Sequence, residues 1–470
     1  MEIKISENPN LIDLSKDYEK LTELKVEIVS LLNDQFIKKL NIQQFIYLIG
    51  LTSLEGKYFN LNFNFIKKYI SNINIKERNL MFYIESNLSQ IFLKRYETEE
   101  SYLLFYSFFD GLYKKEKNVS KVFNKNLKVK KILFFVHSPV FLAHTNPLFY
   151  MLEKRKNLGI NIAIASLSEN INFTKKLNAM NIEFILLNGP TLKDQLNHLI
   201  LLSVEYSRLI WQSVPLYLCY LSKRVNNICL WSFKFHPTIS NVKKKLGSFV
   251  TYEKNFVLNG VKWENIDVGF NIKNIEVIPI KWSKRKLNFG SFCREELIDS
   301  EEYWLTIKSI IEGVKGSIFY YCGKKKIDEH WCKKLKIPTG RVVFLGWLKD
   351  PHIKLQEMAF LLDGYKLGHG YMSYEAMAAG IPIMFPVNRK SYGTMETFTK
   401  KISTHPKYKH LLKGHQKYFL NFKNNIEAID ISKKLMVEKD FNIFYGTFNR
   451  DLISKYPENT FEDFCETIYN

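Results

Sequence analysis

Long apolar runs are missing from this 470-residue chain. A bilayer-spanning helix needs roughly 18 or more consecutive apolar residues. The greasiest stretch, Leu199 to Leu221, is broken by Glu205, Arg208 and Gln212 and reads as buried structure of a water-soluble fold. The opening residues, MEIKISENPN, are too polar for a signal peptide, so a cytoplasmic protein is expected. Cysteine is scarce. The six present (Cys219, Cys229, Cys293, Cys322, Cys332 and Cys465) form no CxxC pair, which excludes a zinc ribbon and favours buried thiols in a reducing compartment. Acidic side chains are under-represented, 47 against 68 Lys and Arg, leaving a formal charge of +21. That balance suits phosphorylated substrates, an anionic membrane surface or nucleic acid. The basic runs at 128–131, 243–245 and 324–326 are short and scattered, so a dedicated nucleic-acid role is disfavoured.

What is present is ordinary globular material: 46% hydrophobic, 24% charged and 15% aromatic residues, enough for more than one core. At roughly 150 residues per domain, two to three domains are expected. Residues 1–125 read as an all-α domain. Leu14, Tyr18, Leu21, Leu24, Ile28 and Leu31 recur at helical spacing, and Asn41 with Gln44 forms a capping box opening the next helix. Helices are also expected over 75–95 and 99–114.

At Lys131 the texture changes. Ile132-Leu-Phe-Phe-Val136 is a continuous apolar run suited to a buried parallel strand. Strands are expected over 160–166, 182–187, 208–211 and 228–233, with helices over 146–156, 192–205 and from Pro215. A second series of strands follows at 289–292, 317–321, 342–345, 359–362 and 383–385. Such alternation means βαβ units and doubly wound sheets. The expectation is an α/β protein with a Rossmann-like domain over 126–272 and a second over 273–470, the latter ending in a helical tail that packs back across the domains. Lys401 to Asn425 reads as a basic, aromatic-rich helical tract. Ligands in such sheets bind outside the carboxyl ends of the strands, so the chemistry belongs in the cleft between two such domains.

The most informative stretch is Leu361-Leu-Asp-Gly-Tyr-Lys-Leu-Gly-His-Gly-Tyr-Met-Ser-Tyr-Glu-Ala-Met-Ala-Ala-Gly-Ile-Pro382. A strand ends at Asp363, a loop carries Gly364, Gly368 and Gly370, and a helix starts near Tyr371. Backbone N–H groups and the positive helix end would then converge on one point, as a diphosphate requires. Glu375, one turn into the helix, can accept two hydrogen bonds from a ribose diol. His369 could donate to a phosphoryl oxygen, and Ser373 is a hydroxyl donor.

This segment resembles the nucleotide-sugar-dependent glycosyltransferases of the GT-B fold. Retaining members often carry two glutamates eight positions apart, and the position eight before Glu375 is Leu367. The inverting branch, comprising the O-GlcNAc transferase catalytic region and the bacterial cytoplasmic N-glycosyltransferases, has an aspartate about twelve residues before its ribose-binding acid. Asp363 and Glu375 match that spacing. Phe289 to Asp299, followed by Trp304, and Trp231 to Ser240, followed by Gly247 to Glu253, are similar to further stretches of that branch. The family's phosphate-contacting Lys is Leu297 here, with Arg294 three residues earlier able to bind phosphate bidentately. Its paired threonines are Tyr371 and Met372.

The resemblance implies a donor that is a nucleoside diphosphate sugar, a UDP-sugar first, and a protein or glycan acceptor. It implies inversion, with no cofactor and no metal. The donor site would comprise Arg294, Gly323, Lys324, Gly346, Trp347, Gly368, His369, Gly370, Tyr371, Ser373 and Glu375. Trp347 could stack near the nucleobase or cap the core. An acceptor must lose a proton, and a group titrating near 7 suits that task. His137, His144 and His236 each follow a strand end, His236 foremost, although any one of them alone is better suited to a structural hydrogen bond. The alternatives are a degenerate GT-B domain that binds sugar nucleotide or protein, a nucleic-acid-modifying glycosyltransferase, or a sugar-nucleotide epimerase.

Overall fold

The computed structural model describes residues 40–53, 59–72, 78–89, 99–114, 130–140, 145–153, 155, 159–212, 216–232, 242, 244–247, 255–258, 261–266, 275–365, 370–387, 403, 409, 420–455 and 461–469. The stripe from Leu14 to Leu31 lies outside them. Helices α1 (Ile42–Thr52), α2 (Phe59–Asn72), α3 (Arg78–Leu88) and α4 (Glu99–Lys114) form the N-terminal part. The capping box at α1 is complete: Gln44 N–H donates to Asn41 Oδ1 at 2.9 Å, and Asn41 N–H donates to Gln44 Oε1 at 3.0 Å. Such a cap contributes about 1 kcal/mol.

The first sheet comprises β1 (Lys131–Val136), β2 (Asn161–Ser166), β3 (Glu183–Leu186), β4 (Arg208–Gln212), β5 (Ile228–Ser232), β6 (Lys244–Gly247), β7 (Asn255–Leu258) and β8 (Val261–Asn265). Helices α5 (Asn146–Glu153), α6 (Ile171–Ala179), α7 (Leu192–Ser203) and α8 (Leu218–Leu221) fall between its strands. The strand order is β3-β2-β1-β4-β5-β6-β8-β7, parallel except where β7 pairs antiparallel with β8. The strands β6 to β8 were not expected: Lys244-Lys-Leu-Gly247 offers neither an apolar run nor alternation, whereas Asn255 to Asn265 does carry a hairpin signal, an Asn-Gly pair between apolar segments. The helix expected from Pro215 is only one turn long. Tyr217 before it sits in the left-handed region at φ 60°, which a helix interior does not allow.

The second sheet comprises β9 (Asn288–Ser291), β10 (Ile318–Tyr321), β11 (Val342–Phe344), β12 (Phe360–Leu362), β13 (Ile383–Pro386) and β14 (Leu420–Phe422). Its order is β11-β10-β9-β12-β13-β14, all parallel. Helices α9 (Trp282–Arg285), α10 (Glu301–Gly313), α11 (Asp328–Leu335), α12 (Pro351–Leu355), α13 (Tyr371–Ala378), α14 (Asn425–Val437), α15 (Lys439–Lys455) and α16 (Phe461–Tyr469) complete the described chain. β14 corrects the helical reading of 401–425 at residues 420–422, while most of 401–419 lies outside the described residues. Leu420 and Phe422 are buried and Asn421 exposed, a period of two that fits a strand pairing with β13.

The last helix leaves the second sheet and covers the first. Phe464 stacks on Phe134 of β1 at 5.7 Å and lies 5.0 Å from Trp231 of β5. Arg208 Nε donates to Ile468 O at 2.9 Å, and the Lys244 ammonium donates to Thr467 O. Among the described residues no helix is long and apolar enough to cross a membrane.

Candidate functional site

Both sheets reverse strand order at one place. In the first, β1 lies between β2 and β4; in the second, β9 lies between β10 and β12. Neighbouring crossovers leave the sheet in opposite directions there, which opens a crevice at the strand carboxyl ends. The chain segments emerging at these two points are therefore the candidate site.

At the second sheet, β9 is followed by Phe292, Cys293 and Arg294. Arg294 is exposed and precedes a short 3-10 turn over Glu295–Leu297. Beyond β10, the Gly323 N–H donates to Gly346 O at 3.1 Å, which ties the loop after β10 to the loop after β11. Lys324 is exposed. Its backbone N–H donates to Glu295 Oε2 at 2.9 Å, and its Nζ lies 5.6 Å above the Trp347 ring. Trp347 is 59% exposed, so it does not cap the core and offers a free ring face. Leu297, where the resemblance called for a phosphate-binding Lys, packs partly buried against the core of this domain.

β12 delivers Asp363, which is fully buried. Its N–H donates to Met384 O at 2.8 Å, and its Oδ1 accepts the Gly364 N–H at 3.1 Å. Tyr303 Oη donates to Leu362 O at 2.8 Å and fixes the same strand end from α10. Gly370 precedes α13 with φ 60° and ψ −126°, a conformation that side chains resist. Tyr371 is half-buried and meets Tyr374 edge-on at 6.3 Å. Ser373 is fully buried, and its Oγ has no partner among the described residues. Glu375 follows two residues later, its carboxyl pushed up to about 7 by burial and then by the charge of Asp350. Gly368 and His369 lie outside the described residues, so the middle of the glycine-rich loop is not part of this geometry.

At the first sheet, β1 runs directly into His137. Burial lowers its imidazole pKa, so the ring is neutral at pH 7. Its ring lies 6.3 Å from that of Tyr217, and Gln212 ends the adjacent β4. His144 and His236, the other two candidate bases, lie outside the described residues. Among the described residues no cluster of three or more His, Cys, Asp or Glu is placed to hold a metal.

Residues that sequence reasoning passed over are Asp350, Glu295 and Tyr217. By itself the Asp350-Pro351 pair signals no more than a turn. Nothing local ties it to Glu375, 25 residues further on.

A point mutant of the O-GlcNAc transferase from Thermobaculum terrenum superimposes with a TM-score of 0.56 at 12% identity, over 98% of this chain and 96% of that one. The Anabaena protein HepE, solved with UDP and glucose, gives a TM-score of 0.52 at 13% identity, over 72% of this chain and 99% of that one. The chain has the GT-B fold. No family profile and no curated protein sequence matches it. In GT-B terms its two Rossmann-like sheets follow a helical N-terminal part, and each has its own switch point. Identity this low establishes architecture, and the chemistry must be argued from the residues.

Proposed function

We propose that this chain is an inverting glycosyltransferase that moves a hexose or N-acetylhexosamine from a UDP-sugar to a nucleophile on a protein or glycan. The observation that carries the reading is Glu375. It is a half-buried acid in the first turns of α13, at the strand end where doubly wound sheets take nucleotides, with a carboxyl titrating near 7. A ribose diol donating to that carboxylate would supply hydrogen bonds that the described residues do not. The Anabaena neighbour, which carries UDP and glucose on this fold, supports the same choice of donor.

In this reading each side of the cleft has its own task. Arg294 and the first turn of α13 stabilise charge on the departing diphosphate. Trp347 offers its exposed face to the base, with Lys324 close by. Ser373 Oγ, buried and unpartnered among the described residues, donates toward the same diphosphate. On the first domain, His137 is neutral at pH 7 and takes the acceptor's proton as the new glycosidic bond forms on the face opposite the departing UDP. Neither step is assigned to a metal. The charge of +21 suits an acidic acceptor or an anionic membrane surface.

The test is a thermal-shift series with UDP, GDP, ADP, CMP and their sugar conjugates on the wild type, Arg294→Ala and Glu375→Ala. Ligand at 100 times Kd raises stability by about 2.7 kcal/mol. Stabilisation of the wild type by UDP or a UDP-sugar, absent from both variants, supports the assignment. No shift with any nucleotide overturns it.

A further inference from the structure

The N-terminal helical part reaches the first-domain crevice through one buried carboxylate. Glu85 of α3 is fully buried, and its two oxygens hold different partners. Oε2 accepts the Tyr113 hydroxyl of α4 at 2.7 Å. Oε1 accepts the backbone N–H of Tyr217 at 3.0 Å, across 132 residues of sequence. Tyr217 is the residue held at φ 60° between β4 and α8. An aromatic side chain resists that conformation, which persists only where the surroundings determine it. Here α3 supplies the surroundings twice over. Glu85 takes the backbone N–H, and Phe82 packs edge-on against the ring at 5.5 Å. The Tyr217 ring in turn lies 6.3 Å from that of His137, inclined at 34°.

We infer that Glu85 is a positioning residue: by fixing the left-handed turn at Tyr217 it sets the ring that stands beside His137 at the end of β1. The consequence for reactivity rests on His137 being the acceptor-side base proposed above. The geometry makes α3 a structural wall of the acceptor crevice, so the helical part belongs to the site. Burial raises the Glu85 carboxyl to about 7 even though both its bonds favour the charged form, so the interior bears this acid at a cost that packing alone would not require.

The experiment follows the His137 ring in the full-length chain labelled with 13C at histidine, its resonance identified by its loss in His137→Gln. Glu85→Leu keeps a similar volume and removes both acceptor oxygens, leaving the Tyr217 N–H without its partner. It is expected to move both the His137 resonance and the midpoint of its titration. Tyr113→Phe removes the partner of Oε2 and leaves the Tyr217 bond, so it should move them less than half as far even where it lowers Tm as much. An unmoved His137 signal in folded Glu85→Leu overturns the inference, as does an equal displacement by Tyr113→Phe. If Glu85→Leu does not fold, Phe82→Leu removes the edge-on contact with the same ring and must displace the same resonance. Melting shifts with UDP, measured in parallel, report on the glycosyl-transfer reading separately. That reading falls if even the wild type shows none, while the His137 result still decides the positioning role.

Discussion

Asp350, at the start of α12, bears on Glu375 in α13 and adds its charge to the effect of burial, so that the Glu375 carboxyl titrates at about 7. An acid at the start of one helix thus acts on an acid inside the next, and the second of them is half-protonated at neutral pH.

If the ionised form of Glu375 accepts the ribose hydroxyls, donor binding must release a proton near neutrality. UDP-glucose has a fully ionised diphosphate diester over this range, so it serves as the probe. Its affinity should rise about tenfold from pH 6 to pH 8, the ratio of ionised Glu375 across those values. Isothermal titration calorimetry checks this. Glu375→Gln should bind weakly and without the slope, and Asp350→Asn should move the slope to lower pH.

The same carboxyl and that of Glu85, also raised to about 7, shape stability. Unfolding returns each acid to the ordinary value of 4.5, so between 4.5 and 7 the folded chain holds more protons than the unfolded one. Stability contributed by each group is therefore fully present below 4.5 and lost as pH rises through 7. The loss is of the order of 3 kcal/mol per fully buried group and smaller for half-buried Glu375. Urea melts at pH 5.5 and pH 7.5 should show a lower midpoint at the higher pH, with the difference reduced in Glu85→Gln.

Gly446 of α15 lies against the turn after α13. A Cβ there would stand 2.1 Å from Gly380 O, a backbone atom that cannot step aside. Gly446→Ala should cost about 3 kcal/mol by forcing α15 off the helix that carries Glu375. Chemical denaturation measures the loss, and reduced UDP affinity in the folded fraction is expected alongside it.

At Gly370 there is room for a methyl group but not for the dihedral angles, so Gly370→Ala should destabilise by about 1–2 kcal/mol and weaken donor binding by displacing the first turn of α13. A melt with and without UDP separates the two effects.

Phe464 closes the first domain from the far end of the chain, clustered with Phe134 and Trp231, whose rings also meet each other at 6.3 Å. Phe464→Ala leaves a cavity worth about 3–5 kcal/mol. Differential scanning calorimetry should show the loss in the transition of the domain built on β1 to β8, although the residue lies more than 190 positions beyond that sheet.

Much of the architecture can be read directly from the residues, because the signals involved are local. Lys131 to Val136 reads as a strand since a short apolar run bounded by polar residues suits burial on both faces of a parallel sheet, and the capping box at Asn41 needs only its own four residues. The segment from Asp363 to Pro382 declares its strand, loop and helix in the same way, and with them Glu375. What tertiary structure decided is everything that depends on distant neighbours. The strand orders single out the ends of β1 and β9 as the crevices, which no alternation of strand and helix reveals. Asp350 perturbs Glu375 only once α12 and α13 pack side by side, and Glu85 meets Tyr217 only because α3 lies over the first sheet. Burial, which raises both acids and lowers His137, belongs to the assembled interior and to no residue by itself.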